Sequence, residues 1–63
     1  MRFSKILENK MKEQGITKAE LARRVDVADT TIGRYVKGTM LPSPLILNRI
    51  AKVLECPIKD FLK

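Results

Sequence analysis

The chain has 63 residues, the size of one small domain, so we interpret residues 1–63 as a single unit. Its hydrophobic content of 44% argues against disorder, while one cysteine and no histidine argue against a disulfide framework and a structural zinc site. Thirteen Lys and Arg against seven Asp and Glu give a net charge of +6, which favours a polyanionic partner such as nucleic acid.

Two helices are predicted in the N-terminal part of the chain. Apolar side chains recur at helical spacing from Phe3 to Gln14, and Gly15 is suited to end that helix. The second helix follows almost at once, because Thr17 and Glu20 form the pattern of a capping box ahead of an apolar stripe. The short connection predicts that the two helices pack at a sharp angle.

A third helix is predicted from Asp29 to Lys37, and Gly38 is placed to end it. The turn before this helix is short, and its first residue, Asp26, is expected in the left-handed conformation. The polar face of the helix carries Thr30, Gly33, Arg34 and Lys37, with Asp29 at its border. A glycine inside a helix costs about 1 kcal/mol relative to alanine, so its presence on this face needs a reason other than helix stability.

The remaining chain predicts a fourth helix and a short fifth one. Ser43 and Pro44 mark the start of the fourth helix, since Ser is favoured at the N-cap and Pro at the first helical position. The segment 57–62 predicts a final helical turn or two, with apolar residues that can anchor it.

The fourth helix has an apolar arc that is wider than one core-facing stripe requires. At its edge, Ile46, Val53 and Ile58 are predicted to form a contact between two copies of the chain. Arg49 and Lys52 are interpreted as solvent charges that lie away from DNA.

Two short helices joined by a tight turn, with a further helix on each side, form a helix-turn-helix arrangement. In this arrangement one helix crosses the nucleic-acid backbone and the next lies in the major groove. Arg34 can then donate to two acceptors on a guanine edge, Thr30 can contact a base, and Lys37 suits a phosphate. The absence of a side chain at Gly33 would let the helix backbone approach the groove closely.

A set of residues at fixed spacing extends over the second, third and fourth predicted helices: Thr17, Leu21, Ala22, Val27, Thr31, Ile32, Tyr35, Gly38, Pro42, Ser43, Ile50, Ala51 and Leu54. In these residues the sequence resembles the Cro- and phage-repressor-type helix-turn-helix family, also described as lambda-repressor-like. The similarity covers residues 3–62. It implies an all-α, compact five-helix bundle that binds operator DNA, usually as a two-fold dimer, to repress transcription.

The resemblance also implies which positions contact DNA. Base contacts would come from Asp29, Thr30, Gly33 and Arg34. Phosphate contacts would come from the start of the second helix and from the loop after the third, at Thr17, Lys18, Lys37, Gly38 and Thr39.

The chain departs from the family pattern at several positions. Asp26 stands where glycine is common, and Ala28 stands where Ser or Thr usually caps the third helix. Asp29 replaces a frequent Gln or Arg, and it either supports the helix N-terminus through the helix dipole, which we favour, or accepts from a cytosine amino group. Met11 and Val36 replace an ion pair of many members, which predicts that these two apolar side chains touch.

No pair of residues forms a nucleophile with its base, so we expect no enzyme, no cofactor and no small-molecule substrate. The expected partner is double-stranded DNA with a palindromic operator, bound by a weak homodimer that DNA strengthens. No membrane partner is expected, and the lone Cys56 fits the cytoplasm. Two alternatives stay open: the chain is the N-terminal DNA-binding part of a longer repressor, or it is a protein-interaction module of the same fold with weak or no DNA binding.

Overall fold

The computed structural model describes residues 2–62, and every regular element in that range is helical, which confirms the all-α class. In chain order the elements are α1 (Arg2–Gln14), α2 (Lys18–Val25), α3 (Asp29–Lys37), α4 (Pro44–Val53) and a 3₁₀ helix (Ile58–Phe61). Within this part of the chain, no helix combines the length and the apolar character that crossing a membrane requires.

The predicted count of five helices is wrong, because residues 2–62 contain four α-helices and the C-terminal element is a four-residue 3₁₀ helix. Its hydrogen bonds join residues three apart, from the Asp60 N–H to the Pro57 carbonyl and from the Leu62 N–H to the Lys59 carbonyl, both at 3.0 Å. The segment is too short for an α-helix, since helix nucleation fixes several residues before the first hydrogen bond compensates.

Hydroxyl side chains cap two of the helices at their N-terminal ends, as the sequence predicts. Thr17 Oγ1 accepts from the Glu20 N–H at 3.1 Å, and Ser43 Oγ accepts from the Ile46 N–H at 3.4 Å. Each bond satisfies a backbone donor that the first turn of a helix leaves without a partner. The starts of α2 and α4 are thereby fixed.

Two left-handed residues bracket α3. Asp26, in the turn before it, has φ 63° and ψ 48°, as predicted. Gly38, at its end, has φ 84°. Glycine adopts this conformation freely, whereas a residue with a β-carbon does so at a cost. Both residues set the points at which the chain leaves the helical path.

One apolar cluster lies where the helices meet, and no buried side chain among the described residues is polar or charged. Phe3 connects three elements, since its ring centroid lies 6.2 Å from that of Tyr35 and 5.4 Å from that of Phe61. Helices of this length are marginal in isolation, so burial of the cluster is what stabilises them. Its members are Phe3, Leu7, Met11, Leu21, Ala22, Val25, Ile32, Tyr35, Ile50, Ala51, Leu54 and Phe61.

Polar contacts also hold the C-terminal part of the chain against α1. Gln14 Nε2 donates to the Leu54 carbonyl, and Lys10 Nζ lies 3.3 Å from Asp60 Oδ2. Cys56 is half-buried and packs against the core. Burial raises the pKa of its thiol, so the neutral form dominates at physiological pH.

Candidate nucleic-acid interface

The orientation of α3 is set by its apolar face. Ile32 and Tyr35 are 0% and 4% exposed, and the helix packs against α1 and α2. The opposite face is therefore directed away from the core. Thr30, Arg34 and Lys37 are all exposed on it, and Gly33 lies between them.

The outward face of α3 and the start of α2 together form one open depression of about 460 Å³. It is lined by the cationic residues Lys18, Arg34 and Lys37, and by Thr30, Asp29 and Gly33. Lys18 reaches this depression because α2 begins there, directly after the Thr17 cap. The structure thus brings together residues that the sequence assigns to bases and residues that it assigns to phosphates. The result is a cationic surface with only one carboxylate.

Gly33 is not required by the packing of the protein itself. A β-carbon built at this position would meet no heavy atom within 4 Å. Its φ is also outside the left-handed range, unlike those of Gly15 and Gly38. The folded chain therefore has both the space and the backbone conformation for alanine at this position.

The loop after α3 is tied to the end of that helix. The Gly38 N–H donates to the Arg34 carbonyl at 3.0 Å and to the Tyr35 carbonyl at 3.2 Å. Thr39 donates twice to the Arg34 carbonyl, from its N–H at 3.0 Å and from Oγ1 at 3.3 Å. Both Thr39 donors are thus engaged, so a phosphate at this position would have to displace one of these bonds.

Comparison with known proteins shows the family to which the chain belongs. A sequence profile described as helix-turn-helix matches residues 7–61. The chain belongs to the Cro/C1-type helix-turn-helix family. A protein of Methanothermobacter thermautotrophicus named "uncharacterized HTH-type transcriptional regulator" is 41% identical over 49 residues, which are 78% of this chain and 71% of that protein. Membership in this family supports DNA-binding transcription regulation.

The helix-turn-helix pair of this protein is formed by α2 and α3. The N-terminal end of α3 differs from those of α2 and α4, which hydroxyl side chains cap. Ala28 occupies its N-cap and makes no side-chain hydrogen bond. Asp29 is the acidic residue in the first turn, where a carboxylate interacts favourably with the helix dipole. Its side chain also lines the depression, so both roles considered for Asp29 fit its position.

The residues assigned to a contact between two copies are only partly exposed. Ile46, Val53 and Ile58 pack against the apolar core. The most exposed large apolar side chains lie elsewhere, with Leu41 at 57%, Leu45 at 60% and Leu62 at 69%. A second apolar surface, which we call the leucine groove, is lined by Phe3, Leu41, Pro42, Leu47, Phe61 and Leu62.

Met11 and Val36, which stand where many family members have an ion pair, lie beside the depression. Met11 is buried and Val36 is half-buried, and both line a smaller hollow of about 270 Å³. Lys12 and Lys18 line the same hollow. The two apolar residues thus line the same hollow, and Val36 retains access to solvent. A direct contact between their side chains stays a prediction.

Sequence reasoning missed one residue that bears on this site. Arg49 is exposed, as interpreted, yet its Nη1 also donates to the Val25 carbonyl at 3.4 Å. The two residues are 24 positions apart. An arginine on a solvated helix face has the same local pattern with or without such a contact, so the sequence holds no signal for it.

Proposed function

We propose that this chain is a sequence-specific transcriptional repressor that binds double-stranded DNA with α3 in the major groove. The observation that carries the proposal is the depression in which Lys18, Arg34 and Lys37 surround Gly33, a position without a side chain. An exposed helix face that carries cations beside a position without a side chain can approach both the phosphates and the base edges of DNA.

The proposal assigns two kinds of contact. Base contacts come from the outward face of α3, at Asp29, Thr30, Gly33 and Arg34. Phosphate contacts come from both sides of that face, at Thr17, Lys18, Lys37, Gly38 and Thr39. Contacts to phosphates position the protein on the duplex, whereas contacts to base edges select the sequence.

Repression follows from occupancy of an operator, because a bound protein excludes other proteins from the same stretch of DNA. We propose that residues 1–63 act as one DNA-binding domain in the cytoplasm, where the operator is accessible. We further propose that two copies bind a palindromic operator about its two-fold axis, in contact through Ile46, Val53 and Ile58. Their α3 helices would then lie about 34 Å apart, one turn of DNA.

Selection of bound sites from a random duplex library tests the proposal. We expect enrichment of an inverted repeat whose half-sites are centred about 10 base pairs apart. Enrichment of a single half-site would support DNA reading but contradict the palindrome. Recovery of no sequence, together with no mobility shift of random duplex at low salt, would contradict the proposed function and favour a protein-interaction module.

A further inference from the structure

Arg49 of α4 contacts the C-terminal end of α2, next to the joint between α2 and α3. Its hydrogen-bond partner, the Val25 carbonyl, belongs to the last residue of α2. The last carbonyls of a helix have no partner within the helix, so an external donor is favourable there. The helix dipole also attracts a cation to this end.

The joint that follows Val25 is short and conformationally demanding. Asp26 holds the left-handed conformation, with its N–H bonded to the Ala22 carbonyl. The Val27 N–H bonds to the same carbonyl at 3.0 Å, and α3 begins two residues later at Asp29. A small change in the backbone at this joint would therefore alter the direction in which α3 leaves it.

The α4 helix does not pack directly against α3. Among the described residues, α3 packs against α1 and α2, whereas α4 packs against α2 and the 3₁₀ helix. An influence of α4 on α3 can therefore pass through α2, which packs against both helices, or through the 3₁₀ helix and α1. On the first of these routes, Arg49 is the described side chain of α4 that donates a hydrogen bond to the end of α2, next to the joint.

We propose that Arg49 is a positioning residue for DNA recognition. Its guanidinium holds the C-terminal end of α2 and thereby fixes the angle between α2 and α3. This inference rests on the proposed function for its consequence at DNA, but the angle itself is a property of the free protein.

Another role for an exposed arginine in a DNA-binding protein is direct contact with a phosphate. The two roles predict different salt dependences. Loss of a phosphate contact lowers the slope of log affinity against log salt by about one, whereas loss of a positioning contact leaves that slope unchanged.

The experiment compares Arg49→Met and Arg49→Lys with Lys52→Met, which removes the same charge from the same exposed side of α4. Residual dipolar couplings of the α2 and α3 amides measure the interhelical angle in each free protein. Fluorescence anisotropy then measures affinity for the operator selected with the unmodified chain, over a range of salt concentrations and well below each melting temperature.

We expect Arg49→Met to change the interhelical angle and to weaken operator binding by roughly three- to tenfold, the loss typical of one exposed charge-assisted hydrogen bond. The salt slope should match that of Lys52→Met. Arg49→Lys, which keeps a donor with shorter reach, should recover part of both effects.

An unchanged angle and unchanged relative affinity in Arg49→Met would overturn the inference, as would a salt slope lowered by about one relative to Lys52→Met. If Arg49→Met fails to fold, Arg49→Lys decides by the same criteria. Failure of the unmodified chain to bind any duplex is a separate result, because it contradicts the proposed function. The interhelical angle in Arg49→Met then tests whether Arg49 positions α3.

Discussion

Gly33 is the residue at which folding and DNA binding are expected to make opposite demands. Because a β-carbon there meets no atom within 4 Å, Gly33→Ala should gain the helix propensity of alanine without a clash. We expect the free protein to be stabilised by about 1 kcal/mol, which raises its melting temperature by about 4–8 °C. Operator affinity should fall, since the methyl group would lie on the face that we propose to approach the bases.

Asn48→Ala provides the matched control for that experiment. Asn48 is exposed on α4, so the substitution also raises helix propensity but lies outside the depression. It should raise the melting temperature without changing operator affinity. If Gly33→Ala binds the operator as tightly as the unmodified chain, close approach of the backbone at this position is not required.

Arg34 and Lys37 differ in the kind of contact expected, although both are exposed on the same face. Arg34→Ala should cost about 1–3 kcal/mol on the selected operator and relax the preference at one G·C base pair, because it removes the proposed two-donor contact with a guanine edge. Lys37→Ala should weaken binding to all duplexes alike and lower the salt slope by about one.

Titrations of both variants against the operator and a scrambled duplex measure this difference, with Lys52→Ala as the control for loss of charge. Equal weakening of the two duplexes by Arg34→Ala would show that Arg34 acts only on phosphates. In that case sequence selection would have to come from Thr30, Asp29 or the shape of the DNA.

At the scale of the elements, the contact between α1 and α3 carries a prediction about Met11 and Val36. The sequence alone indicates that Val36→Glu buries an unpaired charge at a cost of several kcal/mol. Val36 is only half-buried, and its hollow is lined by Glu8 as well as by Lys12 and Lys18. We expect a cost of about 1–2 kcal/mol, because a glutamate there keeps access to water. Adding Met11→Arg should recover part of the stability that the two single changes lose together.

Denaturant unfolding of both single variants and the double variant measures this coupling. An interaction energy of about 0.5 kcal/mol or more in the favourable direction supports the pairing. Strict additivity of the three free energies of unfolding would show that the two positions do not interact.

Much of the element structure could be predicted from the sequence because short-range chemistry decides it. The hydroxyls of Thr17 and Ser43 act within one helical turn, and the left-handed turn at Asp26 follows from the few residues available between α2 and α3. The outward face of α3 follows from its 3.6-residue period, which places Ile32 and Tyr35 in the core.

Features that depend on distant parts of the chain were not predictable in this way. The C-terminal segment, predicted as a final helical turn or two, is a four-residue 3₁₀ helix whose Phe61 is buried in the core. Glu55 holds a positive φ of 54° that no local residue preference indicates. The contact of Arg49 with Val25 and the exposure of Leu45 both depend on how α4 lies against the rest of the molecule.

At the scale of the whole molecule, the described chain measures 25 × 23 × 21 Å. In the proposed two-fold complex, two such units place their α3 helices about 34 Å apart, one turn of DNA. We expect sedimentation to show a weakly associating chain alone and two chains per palindromic duplex at saturation. One chain per palindrome would contradict the two-fold complex.

Substitutions on the two apolar surfaces locate the contact between copies. The proposed contact predicts that Val53→Lys removes the second chain from the palindrome, while Leu41→Lys, in the leucine groove, does not. Thermal melts of both variants verify that each is folded under the conditions used. The reverse result would place the contact in the leucine groove and contradict the assignment of Ile46, Val53 and Ile58.

If this cationic surface binds DNA through phosphates and reads bases with α3, a single titration should reveal both kinds of contact. Affinity for the selected operator and for a scrambled duplex is measured against salt concentration. We expect a log–log slope of about −4 to −5 per chain, from about four to six phosphate contacts, and a clear preference for the operator at every salt concentration. Binding that does not change with salt would contradict the phosphate contacts, and equal affinity for the two duplexes would contradict base reading by α3.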